Sequence, residues 1–166
     1  MIYPSFNQSF IDLVPSNYSL SEELEIAMYN AIKFVQNIPM EKFDFSYAEG
    51  KWTIKEILQH LIDCERIFCY RALAIARNES QILLYFDENS YATTVSNQAK
   101  QRHLKSILEE FSHVRLATIS LYKSLSNQDL QKVGKVGTYQ ISVDAIFAVI
   151  LGHQIHHINF FDKTYL

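Results

Sequence analysis

The amino-acid sequence predicts an all-α fold, a four-helix bundle formed by a single domain of residues 1–166. Turn-forming residues are scarce, since the chain contains only four glycines and three prolines, and this favours a few long helices over many short strands. Four long stretches repeat apolar residues with the helical period. The composition, 48% apolar and 20% charged, is that of an ordinary globular domain, and a chain of this length can bury a sizeable core.

The first predicted helix covers residues 19–38. Ser19 and Glu22 form a capping box, in which each side chain satisfies a backbone N–H of the first turn. Pro39 ends the helix because it cannot continue the backbone hydrogen-bond pattern. The apolar stripe that predicts the buried face consists of Leu24, Ile26, Ala27, Ala31, Phe34, Val35 and Ile38.

The second predicted helix covers residues 51–77 and begins with another capping box, Thr53 with Glu56. A pattern of this length is long for a globular helix and normal for a bundle. Residues 82–94 mix aromatic side chains with carboxylates and are interpreted as a connection.

The third predicted helix covers residues 97–125, and the fourth covers residues 141–166. Between them, residues 126–140 carry two of the four glycines and are interpreted as a loop. Residues 1–18 precede the bundle and are expected to lie across its outside.

Charge and cysteine content exclude several classes of function. The net charge is −3 and the basic residues are scattered, so no positive surface for nucleic acid is expected. The N-terminal stretch lacks a signal-peptide pattern, and no run of about eighteen apolar residues predicts a transmembrane helix. Cys64 and Cys69 form neither a CxxC pair nor a disulfide framework. We therefore expect a cytoplasmic protein that binds neither nucleic acid nor a membrane.

Three of the six histidines lie in the fourth predicted helix, in the sequence GHQIHHINF. At about 100° per residue, His153 and His157 are about 40° apart on one face. His156 lies at the edge of that face, about 60° to the other side, and is interpreted as a pocket neighbour of the other two. The apolar residues within about 80° of His153 are Ile146, Val149, Ile150, Phe160 and Phe161.

His60 is the third histidine on an apolar face, in the second predicted helix. The residues that share this face are Ile57, Cys64, Ile67, Phe68 and Ile75. The remaining histidines, His103 and His113, fall on a charged part of the third helix that is interpreted as surface. Its other members are Lys105, Glu109, Glu110 and Arg115.

A buried neutral imidazole needs a partner for each ring nitrogen. A single core histidine is usually hydrogen-bonded to a neighbouring helix. Hydrogen-bonded core histidines are therefore the alternative to a metal site. Three histidines that can converge, with His153 and His157 at i and i+4 and His60 on a facing helix, favour one divalent metal ion instead. Three protein ligands with an open position are typical of catalytic rather than structural sites.

Three stretches resemble one known family. The sequences GKWTIKEILQHLIDCERI, FDENSYATT and SVDAIFAVILGHQIHHINF are similar to the DinB-like, YfiT-related group of metal-dependent proteins, and the similarity covers most of the chain. The motifs are a Trp-Thr pair before the second helix, a His-Leu pair two turns later, and Gly-His-x-x-x-His in the last helix. They stand here as Trp52-Thr53, His60-Leu61 and Gly152-His153 with His157.

The resemblance implies a bundle with a long crossover connection and a metal ion held by His60, His153 and His157. The ion would be one divalent transition metal, zinc, nickel or iron. The resemblance further implies a homodimer and a small-molecule substrate, with a low-molecular-weight thiol as cosubstrate. It favours a thiol-dependent S-transferase acting on a small electrophile, with a metal-dependent hydrolase as the alternative.

Five further side chains are weaker candidates for the site. Glu56 lies one turn before His60 but is better explained by the capping box. Asp63 could orient a ligand or be solvated, and Cys64 could bind the ion or pack as a small apolar group. Asp87 and Tyr91 could line the mouth of the site, or serve as a helix cap and a packed ring.

A second apolar stripe, Leu58, Ile62 and Cys69, faces away from His60 and needs a cover from another helix or from a second protomer. This stripe is the one feature of the sequence, apart from the resemblance, that favours a homodimer. A di-iron carboxylate site is excluded, because only Glu110 and His113 have the Glu-x-x-His spacing. A non-catalytic metal- or small-molecule-binding bundle of a stress response, and a structural dimer with hydrogen-bonded histidines, are the remaining hypotheses.

Overall fold

A computed structural model describes all 166 residues, and most of them are helical. The elements in chain order are α1 (Gln8–Ile11), α2 (Leu20–Gln36), α3 (Ile54–Ala76), α4 (Glu88–Gln101), α5 (Leu104–Lys123), α6 (Asn127–Gln131), β1 (Val133–Val136), β2 (Tyr139–Ser142) and α7 (Val143–Thr164). Single 3₁₀ turns form at Ser5–Asn7 and Met40–Lys42. No helix combines the length and the hydropathy that crossing a bilayer requires.

The four long helices α2, α3, α5 and α7 form the predicted four-helix bundle. The helix α3 packs against both α5 and α7, and α2 packs against the same two helices. Therefore α2 and α3 lie on one diagonal of the bundle, and α5 and α7 lie on the other. The connections from α2 to α3 and from α5 to α7 must cross the bundle, so the predicted crossover is present.

The predicted starts of α2 and α3 are confirmed. Ser19 and Glu22 form the capping box of α2. In α3 the carboxylate of Glu56 accepts a hydrogen bond from the backbone N–H of Thr53 at 2.8 Å, and the Thr53 hydroxyl accepts one from the Glu56 N–H at 3.3 Å. These caps set where each helix leaves its loop, and hence the register of His60 in α3.

The interpretation of residues 82–125 was partly wrong, because a separate helix lies within them. Asp87 caps α4, its carboxylate accepting hydrogen bonds from the N–H groups of Asn89 at 3.0 Å and Ser90 at 3.1 Å. The helix ends before Arg102 and His103, whose ψ angles of 144° and 135° are extended. No glycine or proline marks this break, so the pattern of the third predicted helix ran through it.

The segment interpreted as a loop, residues 126–140, also contains regular structure. Ser126 caps the short helix α6, and β1 and β2 then form an antiparallel hairpin. Its two-residue turn begins with Gly137, whose φ is +52°, as hairpin turns of this length require. The hairpin lies beside the end of α3, since Gly134 packs closely against Ile75. In the connection that follows α3, the Leu83 N–H donates to the Lys135 carbonyl at 2.9 Å.

Arg115 is fully buried, so the prediction that it lies on the surface was wrong. Its guanidinium donates two hydrogen bonds to Glu65, at 2.8 and 2.9 Å, and one to the Leu24 carbonyl at 3.2 Å. Thr118 donates to the same carboxylate at 2.6 Å. The charge of Arg115 is therefore balanced inside the bundle, whereas His103 and His113 are exposed as predicted.

The N-terminal segment lies against the outside of the bundle, as expected, with α1 packed on α7. Ser142 anchors its start, since Ile2 donates to the Ser142 hydroxyl at 2.9 Å and accepts from the Ser142 N–H at 2.8 Å. Gly152 allows the close approach, because a Cβ at this position would lie only 2.0 Å from the Phe10 carbonyl oxygen. This contact brings Phe10 to the histidine-bearing face of α7.

The second apolar stripe of α3 is covered within the chain. Leu58 and Ile62 are buried in the core cluster formed with α2 and α5. The Cys69 thiol lies 3.0 Å from the Thr118 hydroxyl on α5. The stripe therefore needs no second protomer, and the homodimer stays a prediction based on the resemblance.

Candidate metal centre

Three imidazole rings meet where α3 packs against α7. The Nε2 atom of His153 lies 3.2 Å from Nε2 of His60 and 3.1 Å from Nε2 of His157. His60 and His153 are 4% and 6% exposed, so water cannot solvate their rings freely. The i, i+4 spacing on α7 and the capped start of α3 together bring the three rings to within 4.7–5.1 Å of one another, measured between ring centroids.

Hydrogen bonds alone cannot satisfy this arrangement. Nε2 of His153 carries either one proton or one lone pair in a neutral ring, so it forms a good hydrogen bond with only one of its two neighbours. A tetrahedral ion bound at 2.0–2.1 Å holds its nitrogen ligands about 3.4 Å apart. The two separations from His153 are close to that value, and a cation bound there would accept lone pairs that the hydrogen bonds leave unused.

Burial keeps the three rings uncharged. It lowers the pKa of His60 to about 4 and that of His157 to about 3, the latter also because His60 and His156 lie nearby. Burial and the three neighbouring imidazoles hold the pKa of His153 well below its usual range. Neutral imidazoles have the free lone pairs that a divalent metal requires.

Cys64 is the fourth potential donor. Its Sγ lies 3.5 Å from Nδ1 of His60 and 3.8 Å from Nε2 of the same ring. The donor atoms of His60, Cys64 and His153 all lie within 4.8 Å of one another. Burial raises the pKa of the Cys64 thiol, so the side chain is a neutral thiol unless a cation binds it. It could therefore be a ligand or a partner of the His60 ring.

A cavity of about 530 Å³ opens onto the histidines, a size suited to a small organic ligand. His60, His153 and His157 form part of its wall, so the converging nitrogens face the cavity. About half of the remaining wall residues are aromatic, namely Phe6, Phe10, Trp52, Phe68, Tyr85, Phe86 and Tyr139. A metal held by the three histidines would have one side open to this space.

The structure places the carboxylates of α3 away from this space. Glu56 is occupied by Thr53 and by the Ser96 hydroxyl, which also donates to it. Asp63 accepts a hydrogen bond from Gln59 at 3.0 Å, and burial raises the pKa of its carboxyl group. Neither side chain lines the cavity.

Of the remaining weak candidates, Asp87 and Tyr91 lie away from the cavity and His156 lines it. Asp87 caps α4, and the Tyr91 ring packs edge-on against Phe86 with centroids 5.5 Å apart. Neither of the two lines the cavity. The exposed His156 does line it, and its ring packs against His157 at a centroid distance of 5.2 Å.

The sequence did not predict two charged side chains on the cavity wall. Arg71 lines it from α3, and Glu88 lines it from the start of α4. Arg71 follows His60 by eleven residues, which places the two about 20° apart on a helical wheel. The spacing therefore indicated that Arg71 shares a face with His60. The positions of Phe86 and Tyr139 depend on connections between the long helices, which helical periodicity does not describe.

Comparison with known proteins identifies the family to which the chain belongs. Residues 23–161 match the DinB superfamily. The chain belongs to the DinB superfamily. The matched region contains both α3 and α7, and therefore all three converging histidines.

Two bacterial proteins and one solved structure resemble the chain. A Bacillus licheniformis protein provisionally named a metal-dependent hydrolase is 26% identical over 120 residues, which are 71% of this chain and 67% of that protein. An Oceanobacillus iheyensis protein with the same provisional name is 25% identical over 138 residues, 82% of this chain and 77% of its own. The superfamily, the two names and the donor set support a bound metal ion.

The solved structure is YfiT from Bacillus subtilis, described as a probable metal-dependent hydrolase with an unusual four-helix bundle topology. It superposes with a TM-score of 0.69 and 15% identity, over 99% of this chain and 88% of its own. At this identity the likeness establishes the fold, and it confirms the predicted bundle with its crossing connections.

Proposed function

We propose that this chain is a metal-dependent hydrolase that holds one divalent ion through His60, His153 and His157. One observation carries the proposal: on the wall of an open cavity, Nε2 of the buried His153 lies 3.2 Å from Nε2 of His60 and 3.1 Å from Nε2 of His157. The names of the two curated relatives and the description of YfiT support hydrolysis. They do not support thiol transfer, the activity that the resemblance first favoured.

The side chains divide the work of such a reaction. A bound divalent ion supplies Lewis acidity and a water molecule that ionises near neutral pH. His60, His153 and His157 would hold the ion, and burial keeps His60 and His157 neutral because it lowers their pKa values. The aromatic wall excludes bulk water from the substrate. His156 and Glu88 line the same cavity and supply the imidazole and the carboxylate that can accept or return a proton.

The first test measures the metal. Protein purified without chelator, or reconstituted with zinc or nickel, should contain one ion per chain by elemental analysis. The variant His153→Ala should lose that ion, because Nε2 of His153 lies next to the Nε2 atoms of both other histidines. The matched control His113→Ala removes an exposed histidine of α5 and should retain the metal. A wild type that holds no metal after reconstitution refutes the proposal.

The second test measures activity with activated esters and amides. Metal-loaded protein should hydrolyse some of them without any added thiol, and the chelated protein should not. Activity that requires a thiol and yields a thioester, with release of the alcohol or amine, would refute hydrolysis and restore the transferase.

A closed, non-catalytic site is the second candidate, and the position of Cys64 favours it. The thiol lies within 4.8 Å of the donors of His60 and His153, and together with His157 these four ligands would leave no open position. Cys64→Ser distinguishes the two. Hydrolysis at a three-histidine site predicts that this variant keeps its metal and its activity, and loss of the metal would instead identify Cys64 as a ligand.

A further inference from the structure

Arg71 is a buried cation without a carboxylate partner. Its side chain lines the histidine cavity and the residue is 6% exposed, yet it forms no ion pair. Its Nη2 donates one hydrogen bond, to the Leu84 carbonyl at 2.7 Å. A guanidinium has five N–H donors, so most of them have no acceptor in the protein. Buried charges are normally paired, and the other buried arginine of this chain, Arg115, is paired with Glu65.

The surroundings of Arg71 are those of a binding subsite. The guanidinium carbon lies 5.2 Å from the centroid of the Phe86 ring, which holds one face of the group in place. Burial lowers the pKa of Arg71 below its ordinary value, and nearby tyrosines only oppose this effect. Glu88 is the one acidic side chain on the cavity wall, and it is exposed to solvent.

Arg71 and the histidines lie at two ends of the same cavity. The eleven-residue separation from His60 corresponds to about 16 Å along α3, with both side chains on one face. A row of rings joins the ends, since Phe86 packs against Phe68 at 6.2 Å and Phe68 packs against His153 at 6.1 Å. A molecule that reached both ends would be elongated and would lie along this aromatic wall.

We propose that Arg71 binds a carboxylate of the substrate, at the end of the cavity opposite the group that is hydrolysed. The inference rests on the proposed function, because it names the substrate class of that same site. One planar guanidinium matches one carboxylate in shape and charge. A phosphate dianion would need a second cation, and the cavity wall contains no other arginine and no lysine. The substrate class is therefore a small apolar or aromatic carboxylic acid that bears an ester or amide bond.

Calorimetric titration with benzoate, benzamide and phenyl phosphate tests this assignment. Benzamide is the neutral analogue of benzoate, so the pair isolates the charge. Titrations use metal-loaded protein and also chelated protein, in which no ion can bind the carboxylate. The variants are Arg71→Gln, which removes the charge, and Arg71→Lys, which retains it. Arg77→Gln, at an exposed position just after the same helix, is the matched control.

Wild-type protein should bind benzoate more tightly than benzamide by about tenfold or more, the effect of a charge-assisted hydrogen bond. Arg71→Gln should lose this preference while its benzamide affinity stays unchanged, which also shows an intact cavity. Arg71→Lys should keep part of the preference, and Arg77→Gln should keep all of it. A preference for benzoate that survives in chelated Arg71→Gln overturns the proposal, as does the absence of benzoate binding to the chelated wild type at millimolar concentration. Tighter binding of phenyl phosphate than of benzoate overturns the carboxylate assignment.

The outcomes separate this inference from the function on which it rests. Failure to bind zinc or nickel would refute the hydrolase, and the titrations of chelated protein would still report on Arg71. Metal binding and hydrolysis with no effect of Arg71→Gln would refute only the carboxylate subsite. In the active protein, Arg71→Gln should raise KM for the mono-4-nitrophenyl ester of suberate, an elongated substrate, more than it changes kcat, whereas Arg77→Gln should change neither. Unequal changes of this kind are expected from a binding contact.

Discussion

Replacement of Arg115 by methionine probes the buried ion pair of the bundle. The residue is fully buried and Glu65 is 4% exposed, so the variant leaves a carboxylate in the core with Thr118 as its remaining donor. Removing one partner of a buried pair costs about 3–5 kcal/mol. For a chain of this size each kcal/mol shifts Tm by about 2–4 °C, so we expect Tm to fall by about 6–20 °C.

The assay is urea denaturation, which gives the midpoint and the slope, together with a thermal melt followed by circular dichroism. The control is Lys105→Met, which breaks the exposed pair with Glu109, whose side chains are 88% and 59% exposed. This variant should change the free energy of unfolding by less than about 0.5 kcal/mol. The double variant Arg115→Met with Glu65→Met removes both charges and should recover most of the stability.

Two results would refute this reasoning. A loss below about 1 kcal/mol in Arg115→Met would mean that the pair behaves like a surface pair despite its burial. A double variant as unstable as the single one would assign the loss to side-chain packing rather than to an unpaired charge.

Three further predictions concern the site and its neighbours. Gly152→Ala should lower the free energy of unfolding by about 1–2 kcal/mol in urea titrations, because overpacking against Phe10 outweighs the gain of about 1 kcal/mol in helix propensity. In chelator, stability should be full above about pH 6.5 and fall toward pH 4, since the unfolded chain takes up protons that the buried rings of His60 and His157 do not. Asp87→Ala should cost about 1 kcal/mol in the same assay, through loss of the α4 cap.

Each of these expectations has an opposing outcome. A more stable Gly152→Ala variant would mean that helix propensity dominates and that the N-terminal segment does not pack as described. Chelated protein of constant stability between pH 6.5 and 4 would show that His60 and His157 are not buried as neutral rings. An Asp87→Asn variant should keep the cap, so a loss equal to that of Asp87→Ala would assign Asp87 another role.

The sequence predicted the parts of the fold that local signals specify. Capping boxes marked the starts of α2 and α3, and apolar periodicity identified α7. The break between α4 and α5 could not be seen, because Arg102 and His103 carry no helix-breaking signal and the apolar pattern resumes after them. The hairpin was missed because its two strands have four residues each, too few for alternation to outweigh the glycines around them.

The same distinction applies to the site. The helical wheel placed His153 and His157 on one face and His60 on the facing helix, because a helix converts sequence spacing directly into direction. The burial of Arg115 could not be predicted in this way. An arginine among charged neighbours is expected to be solvated unless its carboxylate partner on another helix is known. The cavity wall could not be predicted for a related reason. Phe10 and Tyr139 come from segments outside the bundle, and tertiary packing alone brings them to the histidines.

The packing of Phe10 against the histidine helix has a consequence for the order in which the site is assembled. At about 5–20 residues per second, Phe10 is synthesised roughly 7–30 s before His153. During that time α1, a helix of four residues, has no surface to pack on and is too short to persist alone. The part of the cavity wall that Phe10 forms is therefore among the first parts of this chain to be made and among the last to become ordered.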